Sequence, residues 1–262
     1  LPIGINSTLI ECDVNQDELT TYNLFNASND LTNNDGSLTV VDFFLTEPDA
    51  LDNVNPITIP TNFQNSIPFQ MVFARIINPA NCFTIAELEL QTSNAILNIP
   101  DLEACDGSNN DGFAEFQLTN IEASIQNQIP TNAEVLYFET EANAFSETDE
   151  LPNIYDNIIA DFQTLFVKIK NNNQCFSIST VNLNVLYTPV LIDDETFIYC
   201  LNTFPETITI FGEVQNDLPN NYYYEWFFNG TLTDVTTLFN DINEAGIYTV
   251  IVTDPNGCSS SR

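Results

Sequence analysis

Cys12 and Cys82 lie 70 residues apart, Cys105 and Cys175 lie 70 apart, and each member of the second pair follows its counterpart by 93 positions. The same offset lays Asn81-Cys82-Phe83-Thr84-Ile85 on Gln174-Cys175-Phe176-Ser177-Ile178, Phe69-Gln70 on Phe162-Gln163 and Arg75 on Lys168. Self-similarity at a fixed period marks stacked structural units. A catalytic site is normally built once, so a duplicated module without a special residue points to length, display or adhesion. The period divides the chain into modules at 1–95 and 96–188, with a dissimilar third module at 189–262.

Within each module the candidate strands are short, rich in Val, Ile, Phe, Tyr and Thr, and separated by clusters of Asn, Asp, Pro and Gly, the pattern of an all-β sandwich. Leu165, Val167 and Ile169 alternate with Phe166, Lys168 and Lys170, and Val72, Ala74 and Ile76 alternate with Phe73, Arg75 and Ile77. Each of these strands has one apolar face. Asn78-Pro79-Ala80-Asn81 and Asn171-Asn172-Asn173-Gln174 then turn the chain into the module's final strand. In that strand Phe83 and Ile85 have one parity and Leu88 and Leu90 the other, and the second module repeats the change between Ile178 and Val181. Side chains alternate strictly along a strand, so the shift predicts a bulge near Ala86-Glu87 and Ser179-Thr180. Residues 46–62 and 139–156 lose the alternation and read as variable loops, and Ile158-Ile159 reads as a buried loop edge. Linkers containing Pro100 and Pro189 limit bending, which predicts tandem immunoglobulin-like β-sandwich modules arranged as a rod.

Four Lys and Arg against 37 Asp and Glu, with no His, give a net charge of -33. A phosphate backbone is bound by cationic side chains that release counterions, so nucleic acid is not a partner. Anionic membranes repel the chain for the same reason, and no apolar stretch approaches the roughly 20 residues of a membrane helix, so no membrane insertion is expected.

The six cysteines, one near the start and one near the end of each module, predict three local disulfides: Cys12–Cys82, Cys105–Cys175 and Cys200–Cys258. Zinc is the competing ligand, but the chain has neither His nor a C-x-x-C spacing. Closing a loop of that length contributes about 4 kcal/mol in the chain-entropy model. Such bonds persist outside the cytosol, and the expected location is extracellular or at the cell surface.

Two stretches have the spacing of a hard-cation site. Asp13, Asn15 and Asp17 follow a D-x-N-x-D pattern, and Asp106, Ser108, Asn110 and Asp111 occupy the corresponding place in the second module. Calcium takes six to eight such oxygens, but neither stretch continues into an EF-hand, so a Ca2+ site would borrow ligands from a neighbouring loop. An Asx turn leading into the next strand accounts for the same residues. The run Tyr222-Tyr223-Tyr224-Glu225-Trp226-Phe227-Phe228 fits either a sugar-stacking platform or alternating core positions. No His and no G-x-S-x-G are present, so no catalytic residue is assigned.

The order Cys-Asp, acidic turn, apolar strand, strand with Lys or Arg, Cys-Phe and final strand is carried by Cys12-Asp13 with Cys82-Phe83 and by Cys105-Asp106 with Cys175-Phe176. It resembles the repeat modules of large secreted adhesins of gliding Bacteroidota, substrates of type IX secretion. Trp226, Gly246-x-Tyr248 and Gly257-Cys258 resemble the immunoglobulin- or PKD-like modules that precede the sorting domain in that family. Neither a sorting domain nor a signal peptide is recognisable, and the chain reads as an internal or processed segment. The resemblance implies a structural, non-catalytic segment of a surface adhesin or fibre, partnered by neighbouring modules. Two other readings stay open. One is a filament protomer joined end to end to copies of itself, with residues 1–10 as a donated strand. The other is a carbohydrate-binding module, with surface glycans as the partner.

Overall fold

The alternating strands of the first repeat fold into two facing sheets. The structure, a computed structural model, describes residues 2–108, 110–172, 174–198, 207–215, 217 and 221–262. Strand β1 (Ser7–Cys12) leads to β2 (Thr21–Tyr22), a 3-10 turn at Leu24–Ala27 and the single helical turn α1 (Ser28–Leu31). Then come β3 (Thr39–Phe44), α2 (Glu47–Asp52), β4 (Phe63–Gln64), β5 (Met71–Ile77) and β6 (Phe83–Ser93). One sheet has the order β1-β6-β5-β3 and the other pairs β2 with β4. The β1 strand runs parallel to β6, from Ser7 opposite Leu88 to Cys12 opposite Ser93. Val72, Ala74 and Ile76 of β5 and Ala86, Leu88 and Leu90 of β6 are buried with Leu9, Tyr22, Phe43 and Leu31 as one core.

The second repeat contains β7 (Leu102–Cys105), β8 (Glu115–Gln117), α3 (Thr119–Ile125), β9 (Glu134–Phe138), α4 (Glu141–Ser146), β10 (Ile154–Asp156), β11 (Phe162–Asn171) and β12 (Gln174–Leu186). Its sheets follow the first repeat: β7-β12-β11-β9, with β7 parallel to β12, and the pair β10-β8. The chain divides into two compact units, and the division passes through this repeat. Unit one holds 1–100, 118–153 and 164–181; unit two holds 101–117, 154–163 and 182–262.

The third module adds β13 (Ile208–Phe211), β14 (Tyr223–Phe228), β15 (Thr231–Leu232), β16 (Phe239–Ile242), β17 (Tyr248–Thr253) and β18 (Ser259–Ser261). The orders are β15-β14-β17-β18 and β13-β16. Asn229 and Gly230 both take positive φ in the turn between β14 and β15, which a two-residue hairpin requires and which Asn-Gly tolerates. Tyr224, Trp226, Val250 and Val252 form the core, the Trp226 indole N–H donates to the Thr237 carbonyl at 2.8 Å, and the Tyr248 hydroxyl donates to the Glu244 carbonyl at 3.3 Å. The fold is all-β, built of tandem immunoglobulin-like modules.

Three expectations are corrected. The register of β5 with β6 runs without a break from Met71 opposite Glu89 to Ile77 opposite Phe83, so the predicted bulge at Ala86-Glu87 is not there. Phe83 and Ile85 belong to the outer face of a straight strand; Phe83 lies under the Arg75 guanidinium, 3.6 Å from the ring centre. In β12 the buried set likewise continues as Ser177, Ser179, Val181 and Leu183, and Ile178 is buried on the opposite face. The irregularity in the first sheet falls between Val40 and Asp42 of β3. The stretches expected as variable loops each begin with a capped helical turn: the hydroxyls of Thr46 and Thr140 accept from the amides of Asp49 and Asn143, and Asn53 and Glu147 close α2 and α4 in the left-handed conformation. Ile158 and Ile159, expected to be buried, are 61% and 57% exposed, because Asn157 and Gln163 hold this bend through its backbone rather than its side chains.

Candidate functional site

The cysteines do not pair within repeats. Cys12 is bonded to Cys175 and Cys105 to Cys258, spans of 163 and 153 residues. The strand directions make the expected pairing impossible. Because β1 is parallel to β6, Cys12 lies opposite Ser93, while Cys82 immediately precedes the other end of the same strand. Eleven strand residues at about 3.3 Å each separate the two by roughly 36 Å, against the ~7 Å Cα limit for a disulfide. The second repeat has the same geometry, with Cys105 opposite Leu186 and Cys175 near the start of β12. Each first-strand cysteine is thus carried away from its own module's last cysteine and meets that of the module that follows. Cys82 is a free, exposed thiol. Cys200, whose predicted bond to Cys258 is excluded by the Cys105 bond, lies outside the described residues.

Around Cys12–Cys175, in unit one, Leu136, Phe138, Ala144 and Ile178 are buried against the two cysteines, with Phe166 at the margin. Polar contacts flank this patch: the Gln174 amide donates to the Thr8 carbonyl at 3.0 Å, the Ser93 hydroxyl to the Phe176 carbonyl at 2.5 Å, and the Leu97 amide to the Ser179 hydroxyl at 3.0 Å. The start of the second repeat's last strand is therefore covered by the first repeat's first strand and by the segment following β6.

Cys258, in unit two, is fully buried and directly precedes β18. Its approach repeats the hairpin before Cys82. The Asp254 carboxylate accepts from the amides of Asn256 (2.9 Å) and Cys258 (2.8 Å), as the Asn78 side chain accepts from Ala80 and Cys82 (both 3.0 Å). Asp254-Pro255-Asn256-Gly257-Cys258 and Asn78-Pro79-Ala80-Asn81-Cys82 are one motif, with Gly257 and Asn81 both at positive φ. That shared motif was the sequence signal that the third module's last cysteine is equivalent to those of the repeats.

Beside Cys12, Glu11 faces three charges of the second repeat. Burial pushes its carboxyl up to about 7; Lys168 opposes the rise, Glu147 adds to it and Lys170 opposes it. Lys168 is buried, 3.0 Å from the Glu147 carboxylate, and Lys170 is 2.7 Å from the other carboxylate oxygen. Burial raises the Glu147 carboxyl, but the hydrogen bonds from Lys170 and Lys168 outweigh it and hold the group below its ordinary value. In the first repeat Arg75 stands where Lys168 does and donates to the Ala50 and Leu51 carbonyls at 2.6 and 3.1 Å. A cation at this strand position closes the C-terminal end of the short helix, where unpaired carbonyls concentrate negative charge.

The acidic stretches after the first-strand cysteines act as turn caps. The buried Asp13 carboxylate accepts from the amides of Gln16 (2.9 Å) and Glu18 (2.6 Å). Asn15 donates to Asp17, and Asp17 accepts from the Leu19 amide at 2.9 Å. Asp106 accepts from Asp111 and Gly112, Asp111 accepts from Phe113, Asn110 is bonded to Thr188 through both ends of its amide, and Ser108 is exposed. Among the described residues, no group of three or more His, Cys, Asp or Glu is arranged to hold a metal ion. Sequence reasoning missed Asn65 and Asn157. Each is buried, accepts one backbone amide and donates to two carbonyls, tying the acidic turn to the strand that precedes β5 or β11. Of the aromatic run, Tyr224 and Trp226 are core, Phe228 packs on Tyr248 with ring centres 4.7 Å apart, and Tyr223 is 70% exposed.

A family model described as "Flavobacterium inter-domain disulphide bond domain" matches residues 8–96 and again 101–189. No curated protein matches the chain. Similar solved structures include Sidekick-1 immunoglobulin domains 1–4 (9% identity, 98% of this chain and 72% of that one, TM-score 0.24). They also include Drosophila N-cadherin EC1-4 (11%, 98% and 72%, 0.20) and the I9–I11 tandem from titin (12%, 100% and 96%, 0.26). Likeness at that level says nothing of partners. Disulfides belong to an exported, oxidising setting, and among the described residues no helix is long and apolar enough to cross a membrane.

Proposed function

The chain belongs to the Flavobacterium inter-domain disulphide bond domain family, and we propose that it is a structural, non-catalytic segment of an extracellular surface adhesin or fibre of a gliding bacterium, secreted by the type IX route. The observation that carries this reading is the Cys12–Cys175 bond, which ties one repeat to the next rather than closing either on itself. With Cys105–Cys258 it forms two interlaced loops, because residues 105–175 lie inside both. A load applied along the chain passes through covalent bonds before it reaches most of the hydrogen-bonded strands. Such a device suits a protein that bears tension outside the cell, and the net charge of -33 keeps it soluble there.

Stiffening in this account comes from the disulfides, with the acidic turns held by backbone amides instead of calcium. The filament reading is less favoured for β1, which pairs with β6 of its own repeat and so is not free for donation. The carbohydrate reading rests on exposed aromatics, and Tyr224 and Trp226 are buried. Immunolabelling of intact source cells, with attachment assays on a deletion strain, tests the proposal. Surface label and weakened attachment are expected; label confined within the envelope, or loss of an enzymatic activity on deletion, would overturn it.

A further inference from the structure

In the four-stranded sheets of the two repeats, β3 and β9 are the outer strands on the side away from β1 and β7. Both are rich in Val, Phe and other strand formers, and an outer strand of that kind offers backbone N–H and C=O groups to which a further strand can add. In each repeat the chain that leaves this strand comes back over it. Helix α2 packs on β3 and β5, and α4 on β9, with Ala50 and Ala144 fully buried. Arg75 holds the Ala50 and Leu51 carbonyls at the end of α2, and Lys168 reaches the Phe145 carbonyl of α4 at 3.5 Å. Past each helix the chain returns beside the strand, where the Ile57 amide donates to the Phe43 carbonyl and the Leu151 amide to the Tyr137 carbonyl, both at 2.8 Å. These returning segments make poor edges themselves. Pro56 and Pro60 flank Ile57 and Pro152 follows Leu151, and proline has no amide to donate to a further strand. In the third module β14 takes the place of β3, and its outer neighbour β15 has only two residues.

Resting on the proposed function above, we propose that segments 46–59 and 140–152 are edge guards, which keep β3 and β9 from pairing with a second copy of this chain. Repeats carry the same edge at a fixed interval, so unguarded copies lying side by side would join at several edges together, each contact raising the effective concentration for the next. The net charge of -33 repels such copies at a distance, but salt screens it beyond about 10 Å. Strands pair at about 4.8 Å, so the edge itself has to be covered.

The test compares the wild-type chain with an Ile57→Pro/Leu151→Pro variant, which lacks both guarding amides, by sedimentation velocity over a rising concentration series and by hydrogen exchange. The wild type is expected to stay monomeric, with slow exchange at Ile57 and Leu151. The variant is expected to keep both disulfides and to self-associate, with the β3 and β9 amides exchanging more slowly in the associated form than in the dilute monomer. Should the prolines unfold the repeats, Gly-Ser-Gly insertions after Val54 and Glu150 loosen the guards without touching the strands and are held to the same outcomes. A folded variant that stays monomeric would overturn the inference, as would free exchange at Ile57 and Leu151 in the wild type, or association with faster exchange throughout both repeats, which marks sticking of unfolded chain. None of these results depends on where the protein resides, so failure of the guards leaves the surface reading to the immunolabelling that tests it.

Discussion

Cys12 and Cys82 occupy opposite ends of one four-stranded sheet, because the strand that ends in Cys12 runs parallel to the strand that begins just after Cys82. That relationship turns a cysteine pattern that reads as three local staples into a chain of inter-module bonds.

Each of those bonds closes a span of more than 150 residues. The chain-entropy model gives about 5 kcal/mol for such a loop, and measured values are typically ~2–4 kcal/mol. Cys12→Ser and Cys105→Ser are each expected to lower the unfolding free energy by about 2–5 kcal/mol in urea titrations, with the double variant losing at least the sum, because each bond shortens the loop that the other closes in the unfolded chain.

Under tension the oxidised chain has a short path. From Cys12 it crosses to Cys175, runs back to Cys105 and crosses to Cys258. Only about 85 residues are extensible, roughly 300 Å at ~3.5 Å each, against about 900 Å for the reduced chain. Single-molecule stretching between the termini checks this; full extension without reductant would exclude the interlaced bonds.

Glu11 makes stability depend on pH. Its folded carboxyl sits at about 7 against 4.5 for an ordinary glutamate, so between these values the folded chain holds a proton that the unfolded chain has released. Its contribution is therefore most favourable below about 4.5 and declines as pH rises to about 7, by about 3 kcal/mol. Glu147 acts in the opposite sense, losing stability as pH falls through its lowered value. Glu11→Gln should stabilise the protein at pH 8 relative to wild type and remove most of the decline between pH 5 and 7.5, read by denaturant unfolding at both pH values.

Asn65 and Asn157 each hold three backbone groups. Replacement by Ala leaves buried polar groups unpaired, and about 2–4 kcal/mol should be lost at either site. A melting temperature unchanged in both variants would show that these contacts are dispensable.

The acidic turns give a metal test. With Asp13 and Asp106 engaged by amides, adding a chelator to purified protein should leave the thermal midpoint unchanged, while Asp13→Ala should lower stability by about 1–2 kcal/mol. A saturable rise in midpoint with Ca2+ would instead make these carboxylates ligands.

The period of 93 and the alternation in Val72–Ile76 and Leu165–Ile169 made the repeats and their sheets legible, since both are local consequences of side chains facing a core. The pairing was not legible from spacing alone: equal intervals of 70 fit local and inter-module bonds alike, and only the parallel placement of β1 on β6 separates them. The bulge was inferred from parity on the assumption that every apolar residue faces one core. Ile178 has a second apolar surface to cover it, and Phe83 has the Arg75 guanidinium. The buried Lys168 was hidden for a related reason: it alternates with the core residues of its strand, and the Glu11 and Glu147 carboxyls that face it come from distant sequence.

Which sulfur meets which decides whether the modules are closed on themselves or tied to one another. Non-reducing peptide mapping of the purified 262-residue chain is predicted to return Cys12 linked to Cys175 and Cys105 linked to Cys258. Cys12 linked to Cys82 and Cys105 linked to Cys175 would contradict it, and would require first strands running opposite to those described.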